Sequence, residues 1–391
     1  MDFAQTQLKQ LRKAANCKKQ VKGLTHDFYK YPARFSPVFV STAIREFSNT
    51  GDLVLDPFMG GGTTIVEAMA AGRQIVGSDL NELAVFVSKV KTTPLTKHEI
   101  TAVKNWIPKT VERMVYDHPR ARLERLIDDT RTFNLQLPRA VKLRKSIAIA
   151  MSRLRYLPND KTRSFARCIL LRTSQWALDN RRSVTSMGEF REKMAIIGQQ
   201  MLDSILKLSS EFREGGIGVR SRKLIGCSAG ELSKQPFFKN GVKKTDLVVT
   251  SPPYPGVHVL YHRWQVNGRR ESPAPYWISD CNDGKPTSYY TFGNRHAAYD
   301  IYLENLRSSL ASIRQTMKKN GLIIQMVAFS KPRLQLRGYL EVMEETGFSE
   351  VSTGGKRQNR IWRSVPNRKW HANLKGKTSS SREVVLVHEA V

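Results

Sequence analysis

The chain has 391 residues, and its 64 Lys and Arg residues exceed its 34 Asp and Glu residues to give a formal charge of +30. With 40% hydrophobic residues it can form a buried core, which excludes a wholly disordered protein. Its length indicates two domains, or one large domain with an insertion. The basic excess favours a polyanionic partner, most commonly nucleic acid, over a membrane surface.

The four cysteines, Cys17, Cys168, Cys227 and Cys281, are far apart and include no C-x-x-C pair. This spacing is typical of neither a disulfide framework nor a zinc cluster, and no other metal-ligand spacing occurs. No apolar run approaches the ~18 residues of a membrane span, and no signal sequence is recognisable. We therefore expect a cytoplasmic protein without a metal site.

In chain order, a basic arm at 1–23 precedes a βαβ pattern, which predicts a parallel sheet. Its elements are a strand at 53–55, a glycine-rich turn, a helix at 63–71, a strand at 74–77 and a helix from residue 81. Residues 98–220 have helical periodicity, with Ile197, Met201, Ile205 and Leu208 on one face. The α/β pattern then returns, with strands at 223–227, 246–250, 321–328 and 383–388 and helices at 298–319 and 335–346. This order predicts one α/β domain, 24–97 and 221–391, interrupted by a basic helical insertion at 98–220.

The basic excess is concentrated in three segments. The arm 1–23 has six cations and one acid, and the insertion has 24 cations and 13 acids. Residues 356–382 contain nine cations, no acid, and two interleaved tryptophans, Trp362 and Trp370. A charge run is usually a solvated face, but this composition favours a loop that contacts nucleic acid. The candidate contacts are Lys356, Arg357, Arg360, Arg363, Arg368 and Lys369.

The glycine-rich turn reads Asp56-Pro57-Phe58-Met59-Gly60-Gly61-Gly62-Thr63-Thr64. It lacks the lysine of a P-loop and matches the dinucleotide pattern G-x-G-x-x-G only in part. A tight turn would explain the glycines but not the flanking Asp-Pro-Phe. Asp79 follows at the end of the next strand, where an acid can accept hydrogen bonds from both ribose hydroxyls of an adenosine cofactor, or can cap the helix from Asn81.

A second motif, Thr250-Ser251-Pro252-Pro253-Tyr254, ends the predicted strand 246–250. Two prolines cannot continue a strand, so the chain turns outward at the edge where open α/β sheets bind ligands. Such a corner can accept hydrogen bonds from an amino group while the tyrosine ring stacks on a base.

Together these segments resemble the amino-group DNA methyltransferases that use S-adenosylmethionine. The segment 56–64 is similar to the cofactor motif of that family, and 26–37 is similar to the preceding segment, which holds the cofactor's methionine end. Ser251–Tyr254 is similar to the catalytic motif, in the serine-first form typical of cytosine-N4 enzymes. The resemblance implies a Rossmann-like methyltransferase sheet, mostly parallel with an antiparallel last strand, and S-adenosylmethionine as cofactor. It also implies site-specific methylation of a flipped-out cytosine in double-stranded DNA, with a restriction endonuclease as a possible functional partner.

The resemblance implies roles for individual residues of this chain. The expected catalytic residues are Ser251, Pro252, Pro253 and Tyr254. The expected cofactor-binding residues are Tyr31, Pro32, Ala33, Asp56, Pro57, Phe58, Gly60, Gly62, Thr63, Thr64 and Asp79. The family often has an acid near Cys227 that contacts the adenine amino group; this chain reads Gly226-Cys227-Ser228 there, and Ser228 or a backbone group is the expected replacement.

Residues 255–300 are rich in aromatic rings and cations, and we interpret them as loops over the target base. Arg263, Arg269 and Arg270 are the candidate DNA contacts there, although about half of the aromatics would be ordinary core. Cytosine-C5 chemistry is disfavoured, because that family's nucleophilic cysteine follows a proline and no cysteine here does. Adenine-N6 methylation, methylation of an RNA base and a non-catalytic nucleic-acid-binding module remain as alternatives.

Overall fold

The computed structural model describes residues 5–17, 22–31, 35–115, 123–138, 140–181, 185–215, 218, 221–239, 241, 243–255, 263–266, 268, 270–283, 299–329, 331–353, 360–364 and 382–391. Within these residues the chain forms a mixed sheet of eight strands and a separate hairpin. The strands are β1 Leu53–Asp56, β2 Gln74–Ser78, β3 Arg222–Ile225, β4 Thr245–Thr250, β5 Trp264–Val266, β6 Arg270–Ser272, β7 Met317–Ala328, β8 Phe348–Glu350, β9 Ile361–Ser364 and β10 Arg382–Ala390.

The main sheet has the order β3-β2-β1-β4-β7-β10-β8, and β9 also pairs with β10. The first five strands in this order are parallel to one another. Strand β10 is antiparallel to β7, and β8 and β9 are antiparallel to β10. The predicted Rossmann-like α/β fold, mostly parallel with an antiparallel last strand, is confirmed.

Helices cover both faces of this sheet. They are α1 Gln5–Ala15, α2 Pro37–Phe47, α3 Thr63–Ala70, α4 Glu82–Lys91, α5 Lys97–Arg113, α6 Glu124–Ile127, α7 Val141–Ser152, α8 Asp160–Leu178, α9 Met187–Glu214, α10 Ala274–Ser279, α11 Tyr299–Thr316 and α12 Pro332–Glu345. Short 3₁₀ helices occur at His26–Phe28, Thr130–Thr132, Arg153–Tyr156 and Ala229–Lys234. None of the described helices is long and apolar enough to cross a membrane.

Alternate residues along each strand enter two cores. Val249 of β4 and Ile324 of β7 lie in the core that contains α1–α4, whereas Val248 and Ile323 lie in the core that contains α11 and α12. This alternation is the expected result of the two-residue period of a strand, and it requires apolar residues on both faces.

Helices α5 to α9 occupy most of the described residues of 98–220, and they share the first of these cores. Ile107 of α5, Ile169 of α8 and Met201 of α9 belong to the same buried cluster as Val249. Local sequence supports these helices, since capping boxes formed by Thr96 with Glu99 and by Ser186 with Glu189 begin α5 and α9. The insertion therefore packs on the sheet through a continuous apolar interior.

Several elements were not predicted: α1, α2, the β5–β6 hairpin, α10, β8 and β9. Helix α1 lies in the segment predicted as a basic arm, yet its Leu11 is completely buried in the core shared with α2. Strand β9 lies inside the stretch 356–382 that composition suggested as a loop. Short elements with a mixture of charged and apolar residues have little periodicity from which to predict them.

Candidate active site

Three segments of interest follow three neighbouring parallel strands. The glycine turn follows β1, Asp79 follows β2, and Ser251–Tyr254 follows β4, with β1 paired in parallel between the other two strands. Because parallel strands end at the same edge of a sheet, the structure brings these predicted residues together. This is the edge at which open α/β sheets bind their ligands.

The carboxylate of Asp56 joins the first segment to the third. Thr250 Oγ1 donates a 2.7 Å hydrogen bond to Asp56 Oδ1, and Phe58 N donates to the same oxygen at 3.2 Å. Asp56 is 3% exposed, and burial raises its pKa to about 6. Its neighbour Thr64 is fully buried and donates to the Val249 carbonyl. These two predicted cofactor residues therefore direct their side chains inward, between the strand ends.

The backbone of the glycine turn lies so close to Ser88 and Tyr31 that only glycine fits. Gly62 has φ +73°, and a Cβ on it would lie 2.4 Å from Ser88 Oγ. A Cβ on Gly61 would lie 3.0 Å from the Cβ of Tyr31, so Tyr31 packs directly over the turn. From below, the buried Lys91 Nζ donates a 2.6 Å hydrogen bond to the Gly61 carbonyl. Helix α3 begins immediately afterwards at Thr63, a buried residue.

Asp79 holds the glycine turn from the neighbouring strand. Gly60 N donates to Asp79 Oδ2 and Asn81 N donates to Oδ1, both at 2.9 Å. Burial raises the pKa of Asp79 to about 6. The cap of α4 is Asn81, whose Oδ1 accepts from Leu83 N. Asp79 therefore lies between two turns with both oxygens accepting backbone hydrogen bonds, and each oxygen retains a second lone pair.

The other predicted cofactor residues surround this edge. Pro57 is buried and its carbonyl accepts from Ser78 Oγ, while Phe58 is half-buried against the second core. Ser228 follows β3 and caps the short helix Ala229–Lys234 by accepting from Gly230 N at 3.3 Å. Pro32 and Ala33 lie outside the described residues.

The predicted catalytic corner is held by side chains from distant parts of the chain. Ser251 Oγ donates to the Met326 carbonyl at 3.1 Å and lies 3.1 Å from Tyr254 Oη. Tyr302 Oη donates to the Pro253 carbonyl at 3.0 Å, which fixes the backbone between the serine and the tyrosine. Pro252 is buried. The corner is therefore braced by both β7 and α11.

Sequence reasoning missed the residue that contacts the tyrosine hydroxyl. Tyr254 Oη donates a 2.8 Å hydrogen bond to Glu383 Oε1, at the start of β10. Glu383 also accepts from Arg363 Nε at 2.6 Å, and both side chains are buried. No local pattern links a glutamate to a tyrosine 129 residues away, so only the pairing of strands could reveal this contact.

Three of the predicted DNA contacts form ion pairs with carboxylates in the structure. Arg363 is 9% exposed and paired with Glu383, so its guanidinium is not available to a phosphate. Arg360 is paired with Glu350, and Arg263 with Asp283, both at partly exposed positions. Arg270 is exposed in β6. Arg269, Lys356, Arg357, Arg368 and Lys369 lie outside the described residues.

Comparison with known proteins finds a family match that includes part of this sheet edge. Residues 5–89 match the N6/N4 methyltransferase family model, described as DNA methylase. This range contains the glycine turn and Asp79. It also contains α1, consistent with the burial of Leu11 in the core.

Two relatives are similar over different lengths. The type II methyltransferase M.MvaI of Kocuria varians is 25% identical over 248 residues, which cover 60% of this chain and 54% of that protein. The type II methyltransferase M.MjaII of Methanocaldococcus jannaschii is 34% identical over 79 residues, which cover 20% of this chain and 14% of that protein. The chain thus spans about half the length of the first relative and less of the second.

Among solved structures, TrmN from Thermus thermophilus is similar at a TM-score of 0.36 and 11% identity. That comparison covers 94% of this chain and 53% of TrmN.

Proposed function

We propose that this protein transfers the methyl group of S-adenosylmethionine to N4 of a cytosine flipped out of duplex DNA. The observation that carries the proposal is the position of Ser251 at the end of β4. Its hydroxyl and the ring of Tyr254 lie at the same sheet edge as the glycine turn and Asp79. One side of this edge suits a nucleoside cofactor, and the other suits a flat base with an amino group.

The residues around the glycine turn fit the cofactor. Asp79 has lone pairs to accept hydrogen bonds from ribose hydroxyls, and the glycines let a ligand approach the backbone closely. Tyr31 packs over the same turn and would help to enclose the methionine end. When bound, S-adenosylmethionine supplies an electrophilic methyl group.

The corner acts on the base. An exocyclic amino nitrogen is a poor nucleophile because its lone pair is delocalised into the ring. Ser251 Oγ and the Pro252 carbonyl would accept its two hydrogens and favour a pyramidal nitrogen, whose lone pair then points at the methyl group. Tyr254 would stack on the extruded ring, because a paired base inside the duplex cannot reach this edge.

The cysteines support an amino acceptor over carbon C5 of the same base. Burial raises the pKa of Cys168 to about 12 and the pKa values of Cys227 and Cys281 to about 11. A thiol with such a pKa supplies almost no thiolate at neutral pH. The corner motif itself contains no cysteine.

Duplex DNA is the proposed substrate because of the charge and the family likeness. The basic excess favours a polyanion, and within the stretch 356–382 residues 361–364 lie in β9 and Arg382 begins β10, the strand that contacts the corner through Glu383. Adenine-N6 is the second candidate acceptor, since the matching family model covers both N6 and N4 enzymes. The type II relatives suggest a restriction endonuclease as functional partner.

The test is to incubate the protein with methyl-labelled cofactor and duplex DNA of random sequence, and to identify the labelled nucleoside. N4-methylcytosine in a defined sequence context is the expected product. N6-methyladenine would replace the proposed base with the second candidate. Label in 5-methylcytosine, or label only in a parallel RNA sample, would overturn the proposal.

A further inference from the structure

A buried ion pair lies directly behind the catalytic corner. Arg363 of β9 and Glu383 of β10 face each other in the antiparallel register of the two strands. Arg363 Nε lies 2.6 Å from Glu383 Oε2, and the two residues are 9% and 6% exposed. Arg363 Nη1 also donates to the carbonyl of Ala15 at the end of α1. The pair is thus fixed by three elements of the fold.

Burial of two charges is costly, and such a pair is weak evidence of stabilisation by itself. The Glu383 carboxylate also contacts the catalytic corner, because its other oxygen, Oε1, accepts a 2.8 Å hydrogen bond from Tyr254 Oη. Three contacts therefore form one chain, from Glu383 through Tyr254 to Ser251 and on to the Met326 carbonyl.

The direction of the hydrogen bonds in this chain follows from counting protons. Tyr254 and Ser251 have one hydroxyl proton each. A carboxylate paired with a guanidinium can only accept, so Tyr254 gives its proton to Glu383. The Met326 carbonyl can also only accept, so it takes the proton of Ser251. No proton then remains for the contact between Tyr254 Oη and Ser251 Oγ, so Tyr254 does not donate to Ser251. With its own proton directed at Met326, Ser251 Oγ presents lone pairs toward the base side, which is the polarity that an amino N–H requires.

We propose that Glu383, held by Arg363, is a positioning residue that fixes the Tyr254 ring and the acceptor orientation of Ser251. The proposal rests on the proposed function for its effect on methyl transfer. Glu383 would act on the site only through the hydroxyl of Tyr254, which accounts for its contact at this edge. It anchors the hydroxyl end of the ring, so that the face of the ring keeps one orientation when a base arrives.

The test is a double-mutant cycle between Tyr254→Phe and Glu383→Gln, read as the single-turnover rate of methyl transfer. Tyr254→Phe should slow transfer about tenfold, the scale expected for loss of a hydrogen bond to a charged group, and Glu383→Gln should slow it less, because it replaces the charged acceptor with a neutral amide oxygen. Cofactor affinity should be unchanged. The double variant should be no slower than Tyr254→Phe alone, because removal of the donor hydroxyl leaves nothing further for the weaker amide acceptor to change. Additive effects, or an unaffected rate in Glu383→Gln, would overturn the proposal.

A second variant separates positioning from folding. Glu383→Gln leaves Arg363 buried without a counter-charge, which by itself destabilises the protein. The double change Arg363→Met with Glu383→Gln removes that charge, so its melting temperature should recover while the rate stays low. Recovery of the rate together with the melting temperature would make the pair merely structural and contradict the proposal. Glu345→Gln is the matched control, because Arg307 and Glu345 form a similar pair at an exposed site.

A readout without substrate keeps this inference distinguishable from the proposed function. The ¹⁹F spectrum of the protein carrying 3-fluorotyrosine contains a resonance of residue 254, assigned by its loss in Tyr254→Phe. We expect this resonance to shift or broaden in Glu383→Gln and to stay in place in Glu345→Gln. An unchanged resonance overturns the positioning role. A wild-type protein that methylates no DNA base overturns the proposed function instead.

Discussion

The glycine turn and the catalytic corner lie at one sheet edge but are held in opposite ways. The glycines of the turn are held by residues close in sequence, since Asp79 and Lys91 bind the backbone of Gly60 and Gly61 within about one βαβ unit, whereas Asp56 before them has a distant partner, Thr250. The corner is fixed from far along the chain, by Met326, Tyr302 and Glu383. The cofactor side is therefore encoded locally, and the base side depends on the assembled sheet.

If this division is correct, the largest effect should come from Tyr254→Ala. The variant removes the ring proposed to stack on the base, which is worth about 1–3 kcal/mol, together with the contact to Glu383. Methyl transfer should fall by about a hundredfold or more, measured as a single-turnover rate. Cofactor affinity, measured by calorimetry, should be nearly unchanged. Full activity in this variant would show that the base side does not depend on the tyrosine.

Asp79→Asn should weaken cofactor binding more than it slows methyl transfer. An amide nitrogen cannot accept from the Gly60 or Asn81 amides, so the variant loosens the turn as well as losing a ribose acceptor. We expect cofactor affinity to fall about tenfold, with a smaller change in rate at saturating cofactor. Asp52→Asn is the control, since Asp52 accepts from Asn49 N at the opposite end of β1. Equal losses in both variants would contradict a local role for Asp79.

The pH dependence of cofactor binding tests the role of Asp79 further. Its pKa is raised to about 6, so its acceptor capacity falls as the pH drops through 6. Cofactor affinity should therefore weaken several-fold between pH 7.5 and 5, and this dependence should be absent in Asp79→Asn. Affinity of the wild type that stays constant over this range would exclude an ionised Asp79 as the ribose acceptor.

The raised pKa values of Asp56 and Asp79 also affect the stability of the fold, which they favour at low pH, whereas cofactor affinity is expected to weaken at low pH. Asp56 and Asp79 hold a proton more tightly in the folded than in the unfolded chain. Their contribution to the free energy of unfolding is present below about pH 4 and is lost as the pH rises through 6. Denaturant titrations with and without Asp56→Asn would measure the part due to Asp56.

The smallest expected effect is a difference in stability between alanine variants at two glycines of positive φ. Gly51 has φ +90°, and a Cβ added there would have no heavy atom within 4 Å, whereas a Cβ on Gly62 would meet Ser88. Both changes to alanine cost backbone strain, and Gly62→Ala adds overpacking of about 1–3 kcal/mol. Denaturant unfolding should show the larger loss of stability for Gly62→Ala, and cofactor affinity should fall in this variant alone. Equal behaviour of the two variants would mean that the close approach to α4 is unimportant.

The same division explains what could be predicted from the sequence. The parallel strands, the helical insertion and the position of Asp79 followed from periodicity and from motifs within short segments. Arg363 illustrates what could not be predicted. It belongs to a stretch without acids, 356–382, yet its partner is Glu383, the first residue after that stretch, which the pairing of β9 with β10 brings opposite Arg363. Charge counting cannot detect a pairing that depends on strand register.

The placement of base and cofactor at one sheet edge can be observed in a ternary complex of the protein with a non-reactive cofactor analogue and an unmethylated duplex. The duplex should contain the sequence that the protein methylates. We predict that its structure contains a base extruded from the duplex, its ring against Tyr254 and its amino nitrogen within about 3.2 Å of Ser251 Oγ. The cofactor analogue should lie against Asp79 and the glycine turn. A target base that remains stacked in the duplex, or one bound away from Ser251, would refute the proposed mechanism.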